Sequence, residues 1–195
     1  MLFESKNFDA LLGTSGFSDK LLKNHFALYE GYVKNTNRLM ETLDSFLRFG
    51  KTDTVEYSEI KRRFGWEFNG MRLHELYFWN ISKENSSLDK NSVFLEKIIE
   101  DFGALIKWEK DFQSVGMMRG IGWTALCCDP VSKKLLNVWL NEHNEGYPVG
   151  AIPLLVMDVF EHAYFTDYEI KRADYIEVFF KAIDWKVVTN RFDNI

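Results

Sequence analysis

Near the end of the chain, Asp158-Val159-Phe160-Glu161-His162-Ala163-Tyr164 follows the apolar run Ile152-Pro153-Leu154-Leu155-Val156-Met157. A carboxylate and an imidazole four residues apart, at the end of a buried strand, make half of a metal site. An aspartate in that position is costly to bury without a cation. A salt bridge is the alternative, although no Lys or Arg lies within the motif. The four histidines of the chain, His25, His74, His143 and His162, each fall inside a recognisable motif. His25 and His74 lie on the apolar faces of expected helices. Packed as a hairpin, those helices would aim both rings into the space between them, while either ring taken alone reads more readily as a hydrogen-bonded core histidine than as a ligand. Three imidazoles and one carboxylate suit zinc, iron or manganese, whereas calcium and magnesium require oxygen. Four protein donors leave room for about one solvent and one small substrate, too little for the bulky substrate of a zinc hydrolase.

The elements that would position these residues are legible in outline. Ser18 can cap a helix whose apolar period runs through Leu21, Leu22, His25, Leu28, Tyr29, Tyr32, Leu39 and Leu43 and stops at Phe49-Gly50-Lys51. A second helix is expected from about Asn69 through Trp79. Residues Ser82 to Asn91 read as a linker, which gives a helical hairpin domain over 1–85 and an α/β domain over 92–195. In the second unit, Val93–Phe102 and Ala104–Phe112 read as helices separated at Gly103. Three strands follow: Ile121–Cys128, the alternating Leu136, Val138 and Leu140, and Ala151–Asp158. Short connections between them imply a small antiparallel sheet, and helices close the chain around Tyr175, Phe179, Phe180, Ile183 and Trp185. The expected class is α+β: an N-terminal helical hairpin, then a lobe of helices around a three-stranded antiparallel sheet.

Composition narrows the function. At 195 residues and 46% apolar content the chain can bury a large core. A net charge of −5 without a basic stripe argues against nucleic acid as a partner, and no apolar run reaches membrane-spanning length. The only cysteines, Cys127 and Cys128, are adjacent, so on a strand they point to opposite faces. They read as reduced thiols, which with the absence of a signal pattern at the N-terminus implies a cytoplasmic protein.

The Asp-Val-Phe-Glu-His-Ala-Tyr run resembles the C-terminal ligand signature of the iron/manganese superoxide dismutase family, which has Trp where Phe160 stands. Other stretches fit in order. Ile99-Glu100-Asp101-Phe102-Gly103 is similar to the segment opening the second lobe, Gly120-Ile121-Gly122-Trp123 to the first strand, and Asp184-Trp185-Lys186-Val187-Val188 to the closing helix. His25 with Tyr32-Val33, and Phe68-Asn69-Gly70 with His74, resemble the two helices that carry ligands. The resemblance implies dismutation of superoxide at one iron or manganese ion per chain, with His25, His74, Asp158 and His162 as ligands and no organic cofactor. It gives His143 the hydrogen bond to metal-bound solvent, because Gly70 stands where iron members carry the Gln that does this. It also implies a homodimer in which Glu161 accepts a hydrogen bond from the partner's His162. Arg172 is the candidate to offset the acidic field at the mouth of the site; a structural salt bridge is its other reading.

This chain departs from the pattern in four places. His25 and the gateway candidate Tyr32 are seven residues apart, where the family has eight and often a local bulge, so a regular helix would restore the geometry. Tyr29, the reserve gateway candidate, stands in place of a family histidine. Phe165 replaces the Tyr that this histidine meets across the dimer interface, and Phe78 replaces a Trp near the metal. These changes also admit a relative that binds metal without efficient turnover.

Overall fold

The computed structural model describes residues 2–84 and 86–195, so the expected hairpin boundary at 85 lies outside the described residues. Two long helices open the chain: α1 (Asp19–Arg48) and α2 (Val55–Trp79). Helices α3 (Val93–Phe102) and α4 (Leu105–Gly116) precede the strands β1 (Gly122–Cys128), β2 (Leu135–Asn141) and β3 (Ile152–Asp158). Helices α5 (Phe165–Tyr168), α6 (Arg172–Ala182) and α7 (Trp185–Asp193) complete the fold. The sheet is antiparallel in the order β2-β1-β3, with Trp123 opposite both Leu140 and Asp158. The expected α+β architecture, a helical hairpin followed by helices around a three-stranded antiparallel sheet, is what the chain forms.

Local chemistry explains most boundaries. The Ser18, Thr54 and Ser92 hydroxyls each accept an N–H from the first turn of α1, α2 and α3, a contact worth about 1 kcal/mol per cap. Gly103 ends α3 in the left-handed conformation that L-residues avoid. One face of α1, through Leu21, Leu22, His25, Phe26, Tyr29, Tyr32, Val33 and Thr36, is buried, chiefly against α2 and the Glu161–Ala163 turn.

One expectation about the elements is corrected. Helix α2 begins at Val55 rather than near Asn69. Its first half buries only Glu67 and so carries no apolar period; ion pairs such as Arg63 with Glu67 support it instead. The expected second strand forms as β2; Leu140 is buried there, while Leu136 on the same face is 36% exposed.

Polar ties lock the hairpin to the sheet. The buried Asn80 amide donates to the Val156 carbonyl at 2.6 Å. The Arg191 guanidinium donates to the Leu154 and Leu76 carbonyls and to the Asn80 side chain. These contacts hold the end of α2 against β3, the strand that ends at Asp158.

Candidate metal centre

The four side chains expected to hold a metal converge. His25 comes from α1, His74 from α2, Asp158 from the end of β3, and His162 from the 3-10 turn Glu161–Ala163. One donor atom from each lies within 4.8 Å of all the others. Asp158 Oδ2 is the hub, 2.9 Å from His162 Nε2, 3.2 Å from His25 Nε2 and 3.7 Å from His74 Nε2. The other carboxylate oxygen accepts the Phe160 N–H at 2.8 Å, which fixes the plane of the group. The Tyr175 hydroxyl donates to the Asp158 backbone carbonyl at 2.7 Å.

The protonation pattern suits a cation. His74 Nδ1 donates to the Gly70 carbonyl at 2.5 Å, so in the neutral ring Nε2 keeps its lone pair. That nitrogen is buried without any hydrogen-bond partner, an expense that a native core avoids unless something else fills the position. Burial pushes the His74 pKa well below the ordinary imidazole value, and the neighbouring His25 pushes in the same direction. Burial likewise lowers that of His25. Burial alone would raise the Asp158 carboxyl, but His162 and His25 beside it reverse the effect and hold it far below the carboxylate range. Its only ion-pair contacts among the described residues are these histidines, so the salt-bridge alternative has no Lys or Arg to supply it. The neutral His25 and His74 imidazoles, an ionised carboxylate and an orphaned lone pair fit a transition metal of the zinc, iron or manganese type.

Aromatic rings wall the cluster. Phe78 meets His25 edge-on at 4.8 Å between centroids, and Trp123 meets His74 at 4.9 Å. Phe160 stacks on both His162 and His143.

His143, at 0% exposure, sits beside this cluster on the loop after β2. Its Nδ1 accepts the Trp123 indole N–H at 3.0 Å. Burial pushes its pKa down to about 4, so the ring is neutral and the proton lies on Nε2. That N–H donates to the Tyr32 hydroxyl at 2.8 Å, leaving the phenol hydrogen free for another acceptor. Tyr32 stacks on His74 at 5.0 Å, and burial together with the Asp158 charge raises its pKa.

The spacing of seven residues explains how α1 delivers both groups. At 3.6 residues per turn, seven residues rotate about 700°, some 20° short of two full turns. An unbroken helix therefore puts His25 and Tyr32 on one face, and α1 is continuous across this stretch. Gly70 completes the fit. A Cβ there would lie 2.6 Å from Tyr32 Cδ1 and 2.8 Å from Cε1, so the ring packs directly on the α2 backbone.

Other candidates lie elsewhere. Tyr29 is buried, but its hydroxyl donates to Glu75 at 2.9 Å and accepts the Lys6 N–H. Glu161 is exposed beside His162, whose side chain is 27% exposed. Arg172 donates to the Met118 and Gly120 carbonyls and to the Tyr164 hydroxyl, so it fastens the segment before β1. Reading the sequence missed Trp66, Asn69 and Glu142, which grip the His143 loop. The spacing of 66, 70 and 74 was the available signal, because those positions share one helix face.

Comparison with known proteins agrees with this geometry. Residues 90–191 match the family described as iron/manganese superoxide dismutases, C-terminal domain. The iron superoxide dismutase of Aquifex pyrophilus is 36% identical over 183 residues, covering 91% of this chain and 85% of the relative. That of Cupriavidus metallidurans is 32% identical, covering 91% and 89%. A manganese superoxide dismutase of Haloferax volcanii is 31% identical, covering 87% and 83%.

Proposed function

The chain belongs to the iron/manganese superoxide dismutase family, and we propose that it disproportionates superoxide at one iron or manganese ion held by His25, His74, Asp158 and His162. The observation that carries the ligand set is the orphaned, buried Nε2 of His74 facing Asp158 and two further imidazoles. When bound, the ion supplies the one-electron exchange that turns one superoxide into oxygen and a second, with two protons, into hydrogen peroxide.

The chain's own residues do the rest. Asp158 brings one negative charge against the ion, and its fixed plane orients the site. His143, held by Trp123, keeps the Tyr32 phenol in register with its hydrogen free to donate. A phenol so placed can pass a proton toward a small anion in the cluster, and the neutral imidazole behind it fixes the direction of the hydrogen bond. The aromatic wall restricts the space to small molecules.

Residues 1–85 and 92–195 are read as two lobes, supported by the C-terminal domain match over 90–191. A homodimer is read from exposed Glu161 beside His162 and from the exposed apolar Met118, Ile121 and Phe165 near it. A cytoplasmic location is supported by two buried, unpaired cysteines. No described helix is long and apolar enough to cross a membrane.

The test is suppression of cytochrome c reduction by a xanthine oxidase superoxide source, using protein of verified iron or manganese content. Metal-dependent turnover that disappears in Asp158→Ala is expected. Metal-loaded protein without turnover would overturn the reading and leave a metal-binding relative.

A further inference from the structure

The His143 ring is useful only if its loop is held, and that loop has an unusual support. Glu142, directly before it, adopts φ +50°, a left-handed conformation that costs a non-glycine residue on the order of 1 kcal/mol. The Glu142 carboxylate accepts the Trp66 indole N–H from α2 at 2.7 Å. The Trp66 ring meets His143 edge-to-face at 4.4 Å between centroids and lies 5.6 Å from Tyr32. One turn further along α2, the Asn69 amide donates to the His143 carbonyl at 2.9 Å. On the outer face of Trp66, the Arg63 guanidinium stacks at 3.7 Å and is itself paired with Glu67.

From this arrangement we infer that Trp66 and Glu142 form a clasp that positions His143 against Tyr32. Trp66 is a positioning residue, because it touches neither the metal ligands' donor atoms nor the free phenol hydrogen. Its N–H binds the strained residue beside His143, and its ring blocks the imidazole from swinging away from Tyr32. Three features serve the same end: the left-handed Glu142, the indole hydrogen bond and the edge contact. A loop retained only for packing would need no carboxylate turned back onto α2. The inference rests on the roles given above to His143 and Tyr32.

Its test separates the two ideas. Trp66→Phe keeps a ring and loses the N–H, Glu142→Ala removes the acceptor from the other side, and Glu142→Gln retains an acceptor oxygen. The first readout is the hydrogen-bonded imidazole N–H signal of His143 in zinc-substituted protein, followed by proton–nitrogen NMR. Four histidines make the assignment tractable, with His143→Ala as reference. Trp66→Phe and Glu142→Ala should shift this signal and speed its solvent exchange, while the ligand imidazoles stay in place and Glu142→Gln restores it. The second readout is turnover of the iron or manganese form. Both disruptive variants should fall about 10-fold at unchanged metal content, and the double variant should fall no further than either alone. A His143 signal unmoved in both single variants overturns the clasp, as does additive loss in the double variant. A moved signal in a protein that never turns over superoxide supports the clasp and overturns the enzymatic reading instead.

Discussion

Gly70→Ala tests the packing that brings Tyr32 to His143. The added methyl would sit 2.6 and 2.8 Å from two ring carbons of Tyr32, roughly 1 Å inside normal carbon contact. Helix α2 cannot yield there, because His74 donates to the Gly70 carbonyl and is buried in the cluster. The Tyr32 ring must therefore move, and its 2.8 Å bond to His143 breaks. Overpacking costs about 1–3 kcal/mol. Leaving the buried His143 N–H unpaired costs about 1–3 kcal/mol more. The better helix propensity of alanine returns about 1 kcal/mol. The net is a loss of roughly 3 kcal/mol, or about 6–12 °C in Tm for a chain of this size. Calorimetry and steady-state kinetics on metal-verified protein measure both effects. A second background sharpens the logic. In Tyr32→Phe the ring still clashes but the hydrogen bond to His143 is already gone, so Gly70→Ala should cost only the overpacking less the propensity gain, about 1 kcal/mol, and turnover should fall no further. An unchanged Tm for Gly70→Ala in wild-type protein, or full activity, would refute the argument that Tyr32 rests on the α2 backbone.

Three other outcomes are expected. His143→Ala should keep its metal and lose about 10–100-fold in turnover, measured at equal metal loading; full activity would remove His143 from the mechanism. Acid should loosen the site while mild base should not, because the folded pKa values of His143, His25, His74 and Asp158 all lie below their unfolded ones. The unfolded chain then binds more protons, so stability is complete above pH 6.5 and falls as pH drops below it. His143, shifted from 6.5 to about 4, accounts for roughly 3 kcal/mol of that fall; urea midpoints that match at pH 7 and 5 would refute it. Glu161→Ala should weaken both dimerisation and metal retention, read by sedimentation and elemental analysis; a stable, fully metallated mutant dimer would rule out the bridge to the partner's His162.

The site was more legible in the sequence than the scaffold, for physical reasons. Asp158 and His162 stand out because a carboxylate at the end of an apolar strand demands a partner, whereas His25 and Tyr32 were legible through the resemblance to the family, and the unbroken α1 puts them on one face. The first half of α2 stayed hidden because it buries little and is held by charge pairs, which carry no apolar rhythm. The buried carboxylates Glu67 and Glu75 were also out of reach, since their partners Arg63, Asn35, Tyr29 and Arg72 are set by the packing of the hairpin. The grip of Trp66 on Glu142 spans 76 positions, and no local pattern announces such a contact.

The burial of the four donors bears on how the protein comes to hold one metal rather than another. His25, His74 and Asp158 are 1%, 0% and 0% exposed, and only His162 reaches solvent. They are drawn from segments as far as 137 positions apart and are assembled only when the hairpin docks on the sheet. With the His74 lone pair fully buried, loading is expected in the last stage of folding, and exchange at the rate at which α1 and α2 part from β3. The identity of the ion would then depend on which is abundant as the chain closes. Two preparations of the same sequence grown on different metals would remain different proteins at ordinary temperature, and gentle heating with competing ion would be the way to convert one into the other.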